Sequence, residues 1–322
     1  MLYEDIRIVR GVPALLRTLS RDHSDDIPKS WVRRAVVSYS QTETPTWRPS
    51  PALEILTHCA DIEVLVRPPL ASDEPYPHRY EHSTDTPKFP RLKRLDWWNH
   101  NDAARTEGIN SIDAVLHNSP NVEYLSLWGE MWMTSLRQQR LTLPAVKVVH
   151  LREMNAIFLR QVCMWSLPAL THLVVESVLE DPEACEAIWE KYGPQLRVVE
   201  VGSQARATEY DHLAMILESC PGLTELNYYV LSANMPRVAG VHDGLKRVGL
   251  HAGVEDEAPD APDVWRLAED HIGVYSKEAF PSLTQFVLHG SRWSRFVLDP
   301  RFRAMEEAVR AVGRSLLLAA DI

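Results

Sequence analysis

The sequence predicts an α/β solenoid, in which short parallel strands alternate with helices that return the chain to the next strand. Two observations lead to this prediction. Eight segments share the pattern L-x-x-L-x-L, with other apolar residues also at the leucine positions, and their first anchors lie 22 to 38 residues apart. Between segments, apolar residues recur every three or four positions, as on a helix with one buried face. Such repetition indicates stacked units that share one continuous core.

The three anchors of each segment are apolar in every case. They are Leu92/Leu95/Trp97, Val122/Leu125/Leu127, Val146/Val149/Leu151, Leu170/Leu173/Val175, Leu196/Val199/Val201, Leu223/Leu226/Tyr228, Leu245/Val248/Leu250 and Leu283/Phe286/Leu288. A proline stands two places before the first anchor in seven of the eight segments, although only 22 of the 322 residues are proline. Because proline fixes φ and donates no ladder hydrogen bond, it suits the loop that leads into each strand.

Weaker repeats precede and follow the regular set. We expect them at Tyr3–Val9, Val32–Val37 and Ile62–Val66, with one more from Leu316. Helical spacing occurs at three sets of positions: Ile109/Ile112/Val115/Leu116, Leu213/Ile216/Leu217 and Phe302/Met305/Val309/Val312. Leucine-rich repeats span roughly 20–29 residues, each with a strand and a returning helix or turn. The predicted fold is therefore an irregular leucine-rich-repeat solenoid, with a parallel concave sheet and helices on the convex side.

The domain prediction is one solenoid over residues 1–322, with weak repeats in 1–88 and regular repeats in 89–322. Two segments interrupt it and are predicted to be exposed loop insertions, residues 67–88 and 254–270. The second is strongly acidic, and a docking site for a basic partner is the alternative to a solvated loop.

The uneven P-x-L-x-x-L-x-L repeats resemble the large fungal group of F-box proteins with leucine-rich repeats. Residues Leu2–Ile8 are similar to the strand that follows the F-box in that group, and Gly11–Leu19 to the segment after it. The resemblance implies a receptor that recruits a target on its repeats and joins a ubiquitin ligase through the F-box and a Skp-type adaptor. The F-box would precede Leu2, so we expect either truncation or loss of the ligase-docking module.

Composition narrows the classes of partner and compartment. A net charge of −10 disfavours general nucleic-acid binding and docking to an anionic membrane. No apolar run reaches the roughly 18 residues of a membrane span. The four cysteines lie far apart and form no C-x-x-C pair. We therefore expect a cytoplasmic or nuclear protein, with no nucleic-acid or membrane partner.

The sequence contains none of the nucleophile-elbow, phosphate-loop, dinucleotide-binding or zinc-helix motifs. His78 and His82 stand four apart, but in a segment with loop composition and no third ligand nearby. Cys59 and Cys220 are predicted to be small, buried and structural. We therefore expect no enzyme, no cofactor and no metal.

The strand pattern itself predicts a binding face. Residues at the second, fourth and sixth places after the first anchor alternate away from the core. Exposed Trp, Tyr and Arg dominate interface hot spots. The alternative is that loops and edge packing cover these aromatics. The candidate residues for binding a protein target are Arg94, Asp96, Trp98, Tyr124, Ser126, Trp128, His150, Arg152, His172 and Tyr229.

Two functions remain open at this stage. The first is the substrate-recognition repeat region of an F-box-like ubiquitin-ligase receptor. The alternative is a leucine-rich-repeat scaffold or adaptor with no ligase role.

Overall fold

The computed structural model forms two compact units, residues 1–169 and 170–322. Each unit is described by itself below. The structure describes residues 5–8, 12–19, 31–37, 51–69, 87–99, 112–129, 131, 140–176, 182–202, 211–230, 233–237, 240–251, 262–290, 293 and 297–319.

The first unit contains six strands that pair in parallel and in chain order. The strands are β1 (Asp5–Ile8), β2 (Arg34–Val37), β3 (Val64–Arg67), β4 (Arg94–Asn99), β5 (Tyr124–Gly129) and β6 (Val148–Met154). The helices described in this unit are α1 (Val12–Leu19), α2 (Pro51–His58), α3 (Ile112–His117) and α4 (Ala156–Cys163).

The second unit repeats this arrangement with six further parallel strands, again paired in chain order. The strands are β7 (His172–Val175), β8 (Val198–Val201), β9 (Glu225–Tyr229), β10 (Arg247–His251), β11 (Gln285–His289) and β12 (Ser315–Leu318). Its described helices are α5 (Pro182–Tyr192), a 3₁₀ turn (Gly193–Gln195), α6 (His212–Ser219), α7 (Pro262–Val274) and α8 (Pro300–Ala311).

The repeat anchors explain this order of strands. All three anchors of all eight repeats are buried. The parallel register stacks equivalent anchors, so that Leu95 lies beside Leu125, and Leu125 lies beside Val149. Each buried anchor contributes roughly 1.5–3 kcal/mol of transfer free energy before conformational entropy is subtracted. The predicted α/β fold of stacked parallel strands is confirmed, and the weak repeats also contribute strands.

The prediction of a loop over 254–270 is wrong from residue 262 onward, because Pro262–Val274 is helix α7. Proline is favoured in the first turn of a helix. Trp265, Ala268 and His271, spaced three apart, are all buried. The acidic residues around these three positions favoured the prediction of a solvated loop. The short apolar face of the helix was therefore not recognised from the sequence. Residues 252–261 lie outside the described residues, as do 70–86 of the other predicted insertion.

Candidate protein-binding site

Strands β4, β5 and β6 place eight of the ten candidate residues on one face, opposite their buried anchors. We call this surface the aromatic face; it consists of Arg94, Asp96, Trp98, Tyr124, Ser126, Trp128, His150 and Arg152. Arg94 is exposed, Ser126 is buried, and the other six are partly exposed. The sequence alternation therefore brings these eight residues together, with Ser126 only 3% exposed.

An arginine–aromatic pair lies at the start of strands β4 and β5 and forms the first row of the aromatic face. The Arg94 guanidinium carbon lies 4.5 Å from the centroid of the Tyr124 ring. The Arg94 Nε also donates to both carboxylate oxygens of Asp96, at 3.1 and 3.0 Å. The Tyr124 hydroxyl lies 3.4 Å from His150 Nδ1. Exposed ion pairs add little stability, so the effect of these contacts is mainly to orient the ring and the guanidinium.

Two tryptophans form the other row. Trp98 lies beside Trp128 in the parallel register. The Arg152 guanidinium carbon lies 5.1 Å from the Trp128 ring centroid, within the range of a cation–π contact. Arginine and tryptophan side by side are typical of interface hot spots, because both bury a large area and retain polar atoms for hydrogen bonds.

The other two candidate residues, His172 and Tyr229, lie in the second unit. They belong to a different surface, which we call the acidic face; it consists of His172, Glu176, Glu200, Glu225, Asn227, Tyr229, His251 and His289. Three of its rings are stacked. The centroids of Tyr229 and His251 are 4.7 Å apart, and those of His251 and His289 are 4.6 Å apart.

The acidic face carries three glutamates, Glu176, Glu200 and Glu225. Burial raises the pKa of Glu200, and the charges of Glu225 and Glu176 raise it further. The pKa of Tyr229 is raised by burial and then by Glu200 and Glu176. Arg247 compensates part of this charge, because its Nη1 lies 2.9 Å from Glu225 Oε2.

The imidazoles of this face favour the neutral form. Burial, and then the neighbouring His289, lower the pKa of His251 to about 4. Burial also lowers the pKa of His172, with Glu225 opposing it. Burial also lowers the pKa of His289, and the charge of Glu225 opposes this effect. At neutral pH these rings therefore add hydrogen-bonding atoms and no positive charge.

The fourth positions of the repeats in this unit were missed as candidate residues. Glu200, Asn227 and Gly249 occupy this row and lie side by side in the register. The same alternation that selected Asp96 and Ser126 also selects these three. Their burial and convergence depend on neighbouring side chains, which the alternation does not reveal.

Other candidate chemistry gives weaker sites. Burial raises the pKa of the Cys59 thiol to about 11 and that of Cys220 to about 12, which makes both poor nucleophiles. Within the residues that the structure describes, no three His, Cys, Asp or Glu side chains are grouped to hold a metal ion. His78 and His82 lie outside those residues. None of the described helices is long and apolar enough to cross a membrane.

An apolar groove of about 380 Å³ lies between α7 and α8, with Tyr275, Phe286 and Met305 among its lining residues. The Arg314 guanidinium also lines it, but donates to the carbonyl oxygens of Leu283, Tyr275, Ser276 and Phe280. These hydrogen bonds to backbone carbonyl oxygens give Arg314 a structural role beside the groove.

No protein-family model matches the chain, and no curated protein matches it. Among solved structures, the chain is similar to a Bacteroides fragilis protein determined as a structural-genomics target, with 11% sequence identity and a TM-score of 0.46. The alignment covers 98% of this chain and 74% of that protein. A likeness of this size carries no information about activity or partners, and the resemblance to F-box proteins stays a prediction.

Proposed function

We propose that this chain is a protein-binding module and that the aromatic face is its receptor surface. The observation that carries the proposal is the alignment of Trp98 with Trp128, both partly exposed, beside Arg152 at 5.1 Å from the Trp128 ring. A partner that covers this row would bury two indoles and one guanidinium in a small area. Such clusters supply most of the affinity of a protein interface.

The rigidity of the strands supports this role. The three strands of the aromatic face are joined by parallel ladders, and their anchors are buried. Side chains on such a scaffold lose little conformational freedom when a partner binds, so more of the contact energy appears as affinity. Arg94 is already held by Asp96 and Tyr124, which reduces the entropy cost further.

The finer proposal is that the module recognises substrates for an F-box-like ubiquitin ligase. It rests on the resemblance of the repeats and of residues Leu2–Ile8 to the fungal F-box group. The alternative is a leucine-rich-repeat scaffold without a ligase role, which uses the same receptor surface.

The receptor surface is tested with the double variant Trp98→Ala/Trp128→Ala. Partner proteins are captured with the tagged chain from its native cells, identified by mass spectrometry, and the most reproducible one is purified for binding measurements. Because each hot-spot truncation typically costs about 2 kcal/mol or more, we expect affinity to fall on the order of 100-fold or more. Far-UV circular dichroism and thermal unfolding show whether the variant remains folded.

The matched control is Trp31→Ala. Trp31 is also an exposed tryptophan of the first unit, at 47% exposure, but it precedes β2 and lies off the aromatic face. We expect wild-type affinity from this variant. Equal affinities for the wild type and the double variant would refute the proposal.

The same capture separates the finer proposal from its alternative. Recovery of a Skp-type adaptor and a cullin together with the partner supports a ligase receptor. A reproducible partner without an adaptor or a cullin supports the scaffold.

A further inference from the structure

We propose that the acidic face binds an arginine or lysine side chain of a partner polypeptide. This goes beyond the receptor surface proposed above, because the acidic face is built from other strands and binds a different chemistry. The proposal rests on charge, on a buried amide oxygen without a hydrogen-bond partner among the described residues, and on the glycine that admits this amide.

The charge of the acidic face favours a cationic ligand. Glu200 and Glu225 supply two carboxylates, and Arg247 supplies one positive charge, which is bound to Glu225. Glu200 lies beside Asn227 in the parallel register. Burial, and then the charges of Glu225 and Glu176, raise the pKa of Glu200, so both acids lie within electrostatic reach of it. With Glu200 and Glu225 ionised and the imidazoles neutral, this described group, Arg247 included, carries a net negative charge. A basic side chain would relieve this repulsion in a partly buried setting, where screening by salt is weak.

A buried hydrogen-bond acceptor points to the same kind of ligand. Asn227 is only 6% exposed, and its Oδ1 has no hydrogen-bond partner among the residues that the structure describes. Its Nδ2 donates to Glu225 Oε1 at 3.1 Å, which fixes the orientation of the amide. Within the described part of the chain, His172 Nε2 and His289 Nε2 are also buried without hydrogen-bond partners. Leaving a buried acceptor unpaired costs about 1–3 kcal/mol, and a guanidinium or ammonium supplies the donors that are missing.

Gly249 makes room for this acceptor. A Cβ at position 249 would lie 2.0 Å from Asn227 Oδ1 and 2.9 Å from His289 Nε2. Both polar atoms therefore lie over this glycine, in the space that a side chain at position 249 would need. After strand β8, Gly202 allows a similar close approach, because a Cβ there would meet the carbonyl oxygen of Glu176 at 2.5 Å. The two glycines let the polar groups of adjacent strands approach one another.

Aromatic rings complete the site. Tyr229 is stacked on His251. Its pKa is raised by burial and then by the charges of Glu200 and Glu176, so both acids act on the ring. Aromatic rings beside carboxylates suit a guanidinium, which stacks on planes and donates up to five hydrogen bonds in a fixed geometry.

The test uses the full chain with ¹³C-labelled histidine and follows the ring signals of His172, His251 and His289 by NMR. The probe is the peptide acetyl-Gly-Arg-Gly-amide, and the uncharged comparison is acetyl-Gly-citrulline-Gly-amide. We expect saturable shifts of these three histidines with the arginine peptide, with a Kd on the order of 1 mM for a single anchoring side chain. The corresponding lysine peptide should bind in the same range. The citrulline peptide should leave the signals unchanged.

Two variants probe the site, and one serves as a control. Glu200→Gln removes a central carboxylate, and Gly249→Ala displaces the Asn227 amide; each should weaken binding of the arginine peptide about tenfold. Glu218→Gln removes an exposed carboxylate from α6 of the same unit and should leave the Kd unchanged. The Trp98→Ala/Trp128→Ala variant should also bind the peptide normally, so the two proposals fail separately.

Three outcomes would overturn the proposal. They are equal shifts with the citrulline peptide, an unchanged Kd in both Glu200→Gln and Gly249→Ala, and tighter binding of free arginine than of the peptide. The last would indicate a small-molecule site and not a polypeptide partner.

Discussion

The aromatic face and the acidic face both lie on parallel strands with buried anchors, and they differ in how their polar groups are paired. On the aromatic face, the guanidinium groups of Arg94 and Arg152 lie over the rings of Tyr124 and Trp128. On the acidic face, carboxylates share the surface with neutral imidazoles, and Asn227 Oδ1 has no hydrogen-bond partner in the part of the chain that the structure describes. The difference shows that the buried anchors fix the fold, whereas the alternate positions are free to acquire different binding chemistry. The aromatic face is preorganised by contacts among its own side chains. The acidic face retains a buried hydrogen-bond acceptor without a partner among the described residues.

The first test of this comparison concerns two glycines that end equivalent strands. Gly129 ends β5, beside Trp128, and Gly290 follows β11, beside His289; their φ angles are 100° and 101°. At Gly129 a Cβ would lie 2.2 Å from the backbone oxygen of Asn99, whereas a Cβ at Gly290 would have no atom of the described residues within 4 Å, apart from its chain neighbours. A side chain at positive φ costs about 1 kcal/mol by itself, and a backbone collision adds to that.

We therefore expect Gly129→Ala to destabilise the first unit by about 3 kcal/mol or more, and Gly290→Ala to destabilise the second by only about 1 kcal/mol. Urea unfolding followed by hydrogen exchange and mass spectrometry assigns each loss to its unit. Similar losses from both substitutions would show that the close approach of β4 and β5 is not a constraint on the aromatic face.

The sequence was sufficient to predict the anchors and the alternation, because both follow from the period of a strand and from burial. It was insufficient where burial depends on a short face among charges, as with Trp265 and His271 of α7. It also grouped Val312 with the apolar positions of α8, but that helix ends at Ala311 and Val312 is 49% exposed.

For the candidate sites, alternation predicted which side chains share a face but not how they are paired. The residues of the aromatic face were selected as candidates because Trp and Arg are themselves typical of interfaces. The acidic face was not selected, because its main feature is an unpaired amide oxygen above Gly249, and pairing depends on side-chain conformations.

The second test compares Asn155, whose amide oxygen and nitrogen both make hydrogen bonds, with Asn227, whose amide oxygen has no partner among the described residues. Asn155 in the first unit caps α4: its Oδ1 accepts from Phe158 N at 3.0 Å and from Met131 N at 3.2 Å, and its Nδ2 donates to Met131 O at 2.8 Å. Loss of a helix cap and of these hydrogen bonds should make Asn155→Ala cost about 2 kcal/mol. Asn227→Ala should cost less than about 1 kcal/mol, because loss of the Nδ2 hydrogen bond to Glu225 Oε1 is offset by removal of a buried, unpaired acceptor.

The two substitutions should separate stability from binding. Asn227→Ala should weaken binding of acetyl-Gly-Arg-Gly-amide while the chain remains stable, and Asn155→Ala should do the reverse. Chemical denaturation and the NMR titration measure the two effects on the same samples. A large loss of stability from Asn227→Ala would assign this amide to the fold and weaken its role in the acidic face.

The smallest expected effect concerns the repulsion on the acidic face. The folded-state pKa of Glu200 is raised above its ordinary value of 4.5, first by burial and then by Glu225 and Glu176. Ionisation of this carboxyl is therefore harder in the folded state, and stability falls as pH rises from the ordinary pKa through the folded one. Below both values the carboxyl is protonated in both states and imposes no such cost. Glu200→Gln should raise Tm at pH 7.5 and change it little at pH 4, whereas the surface control Glu218→Gln should change it little at either pH. A lower Tm for Glu200→Gln at pH 7.5 would mean that the ionised carboxylate is already compensated, and the acidic face would then lack the excess charge that favours a basic ligand.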